Sequence, residues 1–465
     1  MKKRQPAAAA SGAVLEGGFP EPAERKWIER GILLYLIFAA MAYLPEALND
    51  ILNARISYAK FSINEPLFGL NIRYFKDAIL VLMTAAFFAL DARKGERYRL
   101  AKWYLPVLLL IAYGTCVLVF REAGLNVYQV AAGGRSLLLI VFCLKAAAYA
   151  GRPAFVRRLC RCAGWLLVIE FAVLVAQYVL FTGRFGVVNP FSLRLIGTFG
   201  GISISGYMAL GSSILLYSSR GQLDRTMQRL SPLLQLLCLG IAGISGTRSA
   251  IIGCFLILFF LLVEKAFGGR KLPGKSLLMP AVVCFSMLVL TAGIQAATLM
   301  ADRGSIVEAQ VKGGRIDMVT GFFTDNPLSV VLFGDGIGYG TNSGVNLNKQ
   351  LDVELEHKIM DGTINSILTQ YGLFVLFLLA AAAIAAAPAV LRRLKGQSMQ
   401  LYVLLVVNVV LCISTNILEQ FVYLFLLALS AAVLARRNQQ AAAEEEPSQG
   451  TEGLLSRGRM KESLT

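Results

Sequence analysis

Histidine is nearly absent from this chain: its 465 residues hold one, His357. Cysteine occurs eight times. Cys116, Cys143, Cys238, Cys254, Cys284 and Cys412 fall in apolar runs, and Cys160 and Cys162 sit in a short basic segment. One imidazole, and a Cys160-x-Cys162 spacing too tight for a zinc knuckle, leave no metal site to expect. No cysteine lies in a segment expected outside the membrane, which argues against a disulfide framework. Residues 1–24 are Ala-rich and lack an apolar core, so no cleavable signal is expected. The apolar runs do not alternate with polar residues, which argues against a lipid-facing β-barrel. No internal repeat relates the two halves, unlike many secondary transporters. Gly334, Gly336, Gly338 and Gly340 lack the GxGxxG spacing of a dinucleotide loop. They read as a flexible turn.

What the chain has is hydrophobic length. Its hydrophobic fraction is 56% and its mean hydropathy +0.62, above the range of a soluble domain of this size. A run of roughly 18 apolar residues crosses the ~30 Å hydrocarbon layer as a helix. Twelve candidate runs occur, at about 31–48, 76–91, 103–120, 135–150, 163–182, 203–219, 231–245, 249–267, 276–300, 362–388, 399–416 and 418–435, of which the second and seventh are short. The expected fold is an all-α polytopic membrane protein of about 12 transmembrane helices. Residues 1–30 form an N-terminal tail, 31–435 the membrane domain and 436–465 a tail with Glu444, Glu445 and Glu446 that reads as disordered. A large polar loop, 301–361, separates runs nine and ten. With both termini in the cytoplasm, roughly two-thirds of the 45 lysines and arginines fall on cytoplasmic segments. That bias places the loop outside. The net charge of +16 is then a topological signal and not a nucleic-acid surface.

The polar loop is where chemistry is expected. Ile316, Val319, Phe322 and Phe323 have helical spacing, so a short amphipathic helix is predicted from Arg315 through Thr324, resting on the membrane surface and stopped by Asp325-Asn326-Pro327. Four arginines lie near the outer surface. Arg135 opens the fourth run, Arg194 precedes the sixth, Arg248 sits in a tight hairpin between the seventh and eighth, and Arg315 opens the loop helix. Each alone reads as an interfacial arginine snorkelling to headgroups. Four on the side that charge otherwise avoids suggest a di-anionic ligand such as a lipid pyrophosphate, because the guanidinium fork matches phosphate oxygens. Lys145 and Glu170 lie within consecutive runs and read as a structural ion pair, with a proton relay as the alternative.

Four motifs occur in order: Arg194-Leu-Ile-Gly-Thr-Phe-Gly, Ser245-Gly-Thr-Arg248-Ser-Ala, Gly314-Arg315 followed by Phe333-Gly-Asp-Gly-Ile-Gly338, and Asp361-Gly-Thr-Ile-Asn-Ser-Ile-Leu-Thr-Gln-Tyr-Gly372. With the long loop before run ten, this order resembles the O-antigen ligase and Wzy-type polymerase superfamily over about residues 194–378. Ligases of that superfamily carry His-Asn where this chain has Asp361-Gly362, and the departure favours a polymerase. The resemblance implies a metal- and cofactor-independent glycosyltransferase of the bacterial cytoplasmic membrane. Its substrate would be an undecaprenyl-pyrophosphate-linked oligosaccharide, with a flippase and a chain-length regulator as partners. Arg248 and Arg315, assisted by Arg194 or Arg135, would stabilise the departing pyrophosphate. Asp361 or His357 would take the acceptor proton, unless Asp361 only caps the following helix. A ligase using lipid A-core as acceptor and a lipid-oligosaccharide flippase are the rival readings.

Overall fold

The computed structural model of the chain describes residues 22–52, 73–95, 97–122, 126–185, 195, 197–199, 203–266, 315–341, 344, 362–394, 404, 407–408, 411–412 and 415–436. Within these, every regular element is helical. The order is α1 (Pro22–Ala40), α2 (Leu44–Leu52), α3 (Arg73–Arg93), α4 (Arg97–Glu122), α5 (Val127–Ala147), α6 (Pro153–Phe185), α7 (Ile204–Ser218), α8 (Arg225–Ile244) and α9 (Arg248–Ala266). Then come α10 (Arg315–Asp325), α11 (Leu328–Phe333), α12 (Thr363–Leu394) and α13 (Phe421–Arg436). Among the described residues, five helices are long and apolar enough to cross a membrane, through Tyr104–Arg121, Val127–Ala147, Pro153–Leu180, Arg225–Ile244 and Thr363–Pro388. The chain is a multi-pass membrane protein.

Local chemistry sets the boundaries. Asn126 caps α5 by accepting from Gln129 N–H, and Asp224 caps α8 by accepting from Met227 N–H. The run at 31–48 is not one helix. It breaks between Ala40 and Leu44, because Tyr43 N–H donates to Thr198 O and Thr198 Oγ1 donates to Ala40 O. Tertiary bonds replace the helical ladder there. The run at 276–300 and most of 399–416 lie outside the described residues.

α7 is the axis of the bundle, packed on α6, α8 and α9. Every residue from Ser205 to Ser218 is buried. Its small residues let neighbours approach closely. Gly206 lies against Thr247, and Gly211 against Leu426 and Tyr423 of α13. On one flank α1 packs on α3, α3 on α5 and α5 on α4. Tyr35, Phe142 and Phe425 join that flank to α13, with ring centroids 4.8–5.6 Å apart.

The two ends of the bundle differ. At one end arginines and a lysine meet acids: Arg152 and Arg158 on the buried Glu29, Lys145 on Asp91, Arg161 on Asp224. Glu29 is 2% exposed. We call this the basic end. The expected Lys145–Glu170 ion pair is therefore absent. Lys145 sits at the last turn of α5 beside the end of α3, whereas Glu170 points to the opposite end, where Thr198 N–H donates to it at 2.9 Å. Position along a helix sets a residue's depth, but the packing of neighbouring helices decides which side chain it meets.

The glycine run is a packed wedge and not a flexible turn. It threads between α4, α5 and α12. Gly372 has φ +71°, so α12 kinks there, and the carbonyls of Thr369 and Gln370 accept from the wedge, from Asp335 N–H (2.7 Å) and Gly336 N–H (3.2 Å). Ile337 N–H donates to Gly114 O (3.0 Å) and Gly338 N–H to Gln370 Oε1 (2.9 Å). Gln370 is in turn held by Ser366. Ile337 is 0% exposed and centres a second core with Leu118, Leu137, Val141, Tyr371 and Val375.

Candidate functional site

The end opposite the basic one collects polar groups, and we call it the polar end. Ala40 of α1, Thr198, Ser205 of α7, the α8–α9 hairpin, the starts of α3, α12 and α13, and the glycine wedge all belong to it.

Arg248 is the first residue of α9. The preceding turn is Ser245-Gly246-Thr247, with Gly246 at φ +63°. Ser245 Oγ donates to Ala242 O and lies 3.0 Å from Thr247 Oγ1, so the hairpin is internally tied. Gly206 leaves room for Thr247, and Tyr207 Oη pairs with Ser249 Oγ at 2.8 Å. The half-buried Arg248 is therefore presented from a rigid platform.

Arg135 does not open a helix. It is the ninth residue of α5, about 12 Å from that helix's start. It pairs with Asp77 of α3 at 3.2 Å and its guanidinium lies 4.3 Å from the Phe421 ring centroid. Asp77 offsets its charge. The Tyr207 and Tyr423 rings, 6.1 Å apart, connect the two arginine neighbourhoods.

α10 runs Arg315–Asp325, as the loop pattern predicted within one residue. Its apolar side, however, packs on protein. Phe322 is buried with Val330, Val331 and Leu368, while Phe323 faces outward. Arg315 begins this helix; nothing of its side chain is described. Arg194, His357 and Asp361 lie outside the described residues. The structure therefore brings Arg135 and Arg248 to one end of the bundle.

Several polar-end groups hold places that the sequence pattern does not assign them. Asp335 in the wedge pairs with Arg121 at 3.1 Å. Burial pushes its carboxyl up to about 6, against the opposing pull of Arg121. Glu170 is fully buried and accepts from both the backbone and hydroxyl of Thr198, while Gln177 accepts from Gly197 N–H at 3.1 Å. These bonds fix the Gly197–Phe199 turn on α6. The segment Thr415–Gln420 is buried between α5 and the start of α12. Its polar run between two apolar runs was the available signal, and it carries no lysine or arginine to draw notice.

No family model, characterised protein or solved structure matches the chain. Chemically, the polar end combines a fixed arginine, a carboxylate with a raised pKa and hydroxyl-bearing turns. Groups of these kinds can bind an anion or exchange a proton.

Proposed function

We propose that this chain is a Wzy-type polymerase. It joins undecaprenyl-pyrophosphate-linked oligosaccharide repeat units on the outer face of a bacterial cytoplasmic membrane. In this reading about twelve helices cross the membrane, both termini are cytoplasmic and the polar end faces outward. The acceptor sugar hydroxyl attacks the anomeric carbon of the donor glycan. The bond from that carbon to pyrophosphate oxygen breaks, and its electron pair leaves with the pyrophosphate. The hydroxyl proton goes to Asp361 or His357. Arg248, Arg315 and Arg194 take up the charge that develops on the leaving group, with Arg135 more remote in role.

The observation that supports this most is the placement of Arg248, which opens α9 at the polar end from the tied Ser245-Gly246-Thr247 hairpin, too short to need a charge there. The order of the four motifs supports the same reading. The test is transfer from a lipid-linked repeat unit by purified protein. Losing one charge-stabilising donor costs about 3–4 kcal/mol in the barrier, so Arg248→Ala is expected to slow transfer about 10²–10³-fold with unfolding unchanged. Arg248→Lys keeps the charge but not the fork and rescues only in part. Full activity in Arg248→Ala reduces that residue to an interfacial anchor.

A further inference from the structure

Asn416 is 3% exposed, and both its Oδ1 and its Nδ2 are buried without a hydrogen-bond partner. An asparagine at the start of a turn ordinarily caps it, but Asn416 makes no side-chain bond to the Ile417–Glu419 turn that it opens. Four residues on, Gln420 is 8% exposed and its Oε1 is buried and unpartnered too. Solvent reaches none of these three atoms. A buried polar group in this condition gives up its hydration for nothing, and an apolar side chain of like size would be more stable. The amides therefore find their partners in a different state of the protein.

A threonine hydroxyl latches the turn that carries them. Thr363, the first residue of α12, donates through Oγ1 to Thr415 O and accepts from Ile417 N–H, both at 3.0 Å. One hydroxyl thus holds both bonds. Behind the turn, α5 packs against Ile417–Glu419, and Arg135 covers the Phe421 ring.

The chemistry of the orphaned atoms selects the partner. An amide side chain carries one accepting oxygen and one donating nitrogen, whichever way it is flipped. A phosphate or carboxylate only accepts, and would leave the oxygens unmet. A metal cation would meet the oxygens and repel the nitrogen. A hydroxyl donates and accepts, and neighbouring hydroxyls on a sugar ring serve two amides at once. We propose that Asn416 and Gln420 form a saccharide-hydroxyl subsite, shut in this structure and opened when the Thr415–Gln420 turn leaves Thr363. That the saccharide belongs to a lipid-linked glycan rests on the polymerase reading; the preference for hydroxyls does not.

The test uses the full chain in nanodiscs of phosphatidylethanolamine and phosphatidylglycerol, since maltoside detergents carry the chemistry being probed. Thermal unfolding is followed with glucose, galactose, rhamnose and N-acetylglucosamine, each up to about 100 mM so that a millimolar site registers. Inorganic phosphate and sodium chloride are the anion and cation controls. Without sugar, Asn416→Leu and Gln420→Leu are expected to unfold at or above the wild-type temperature. At least one sugar is expected to stabilise the wild type, with the shift lost in both variants. In transfer assays Asn416→Leu should raise KM about 10-fold with kcat little changed. Three results overturn the proposal: lower stability of both leucine variants without sugar, stabilisation by phosphate or salt in place of sugar, or no response of the wild type to any sugar. If the wild type transfers no glycan at all, the polymerase reading fails, and the sugar-dependent unfolding still decides the subsite.

Discussion

Gly133 and Gly134 are neighbours in α5, and the packing assigns them opposite fates. A Cβ at Gly133 would meet the Gly338 backbone, with its Cα at 2.9 Å and its nitrogen closer still, and the side chain of Ile337. Backbone cannot swing away as a side-chain tip can. Overpacking of this kind costs about 1–3 kcal/mol. Relief by backing the wedge out would forfeit the Ile337 and Gly338 main-chain bonds, about 1 kcal/mol each. Alanine's better helix propensity offsets about 1 kcal/mol. Strain and relief are alternatives, so the net expectation for Gly133→Ala is a loss of about 1 kcal/mol. At Gly134 the nearest atom is Ile111 Cδ1 at 4.0 Å, so Gly134→Ala keeps the propensity gain, up to about 1 kcal/mol. Thermal unfolding of the two variants in the same nanodiscs reads the difference, and hydrogen exchange across 333–341 locates it. Gly133→Ala should release the wedge amides and Gly134→Ala should not. Equal stability of the two variants, or wedge exchange unchanged in Gly133→Ala, refutes the wedge as a packed element.

Three further outcomes are expected. Burial raises the Asp335 pKa from 3.8 to about 6, so the folded state holds that proton more tightly than the unfolded state does. Its contribution to stability is full below about pH 4 and is lost as pH rises through about 6; Asp335→Asn should flatten that window in pH-dependent unfolding, and an unchanged slope sinks the assignment. At the basic end, Arg152→Ala with Arg158→Ala strands the buried Glu29 carboxylate and should cost about 3 kcal/mol, whereas Glu29→Gln leaves only half-exposed guanidiniums and should cost about 1 or less. Equal losses would mean that the carboxylate is not held as buried as described. Asp361→Asn caps a helix as well as aspartate but takes no proton, so transfer about 10²-fold slower at normal expression marks Asp361 as the base. Normal chain length in that variant, with failure of His357→Ala, moves the role to His357.

Much of the fold was written in short-range pattern. Uninterrupted apolar runs required helices and a membrane, since no other structure satisfies that much backbone in lipid. The spacing of Val319, Phe322 and Phe323 set the α10 helix, and Asp325-Asn326-Pro327 ended it. The brevity of Ser245-Gly246-Thr247 made a hairpin inevitable and put Arg248 at its edge. Tertiary structure alone decided which side chains meet, because partners lie on helices far apart in sequence. Arg135 finds Asp77, Lys145 finds Asp91 and not Glu170, and Glu170 is spent on the turn at Thr198. The glycine run shows the difference most plainly. Alone it specifies only a backbone free to take positive φ. It becomes a rigid wedge because Gly372 kinks α12 and frees two carbonyls, and because Gly114 and Gly133 leave a slot with no Cβ in it. No local signal relates glycines some two hundred residues apart, and the close approach of three backbones is a property of the packed bundle.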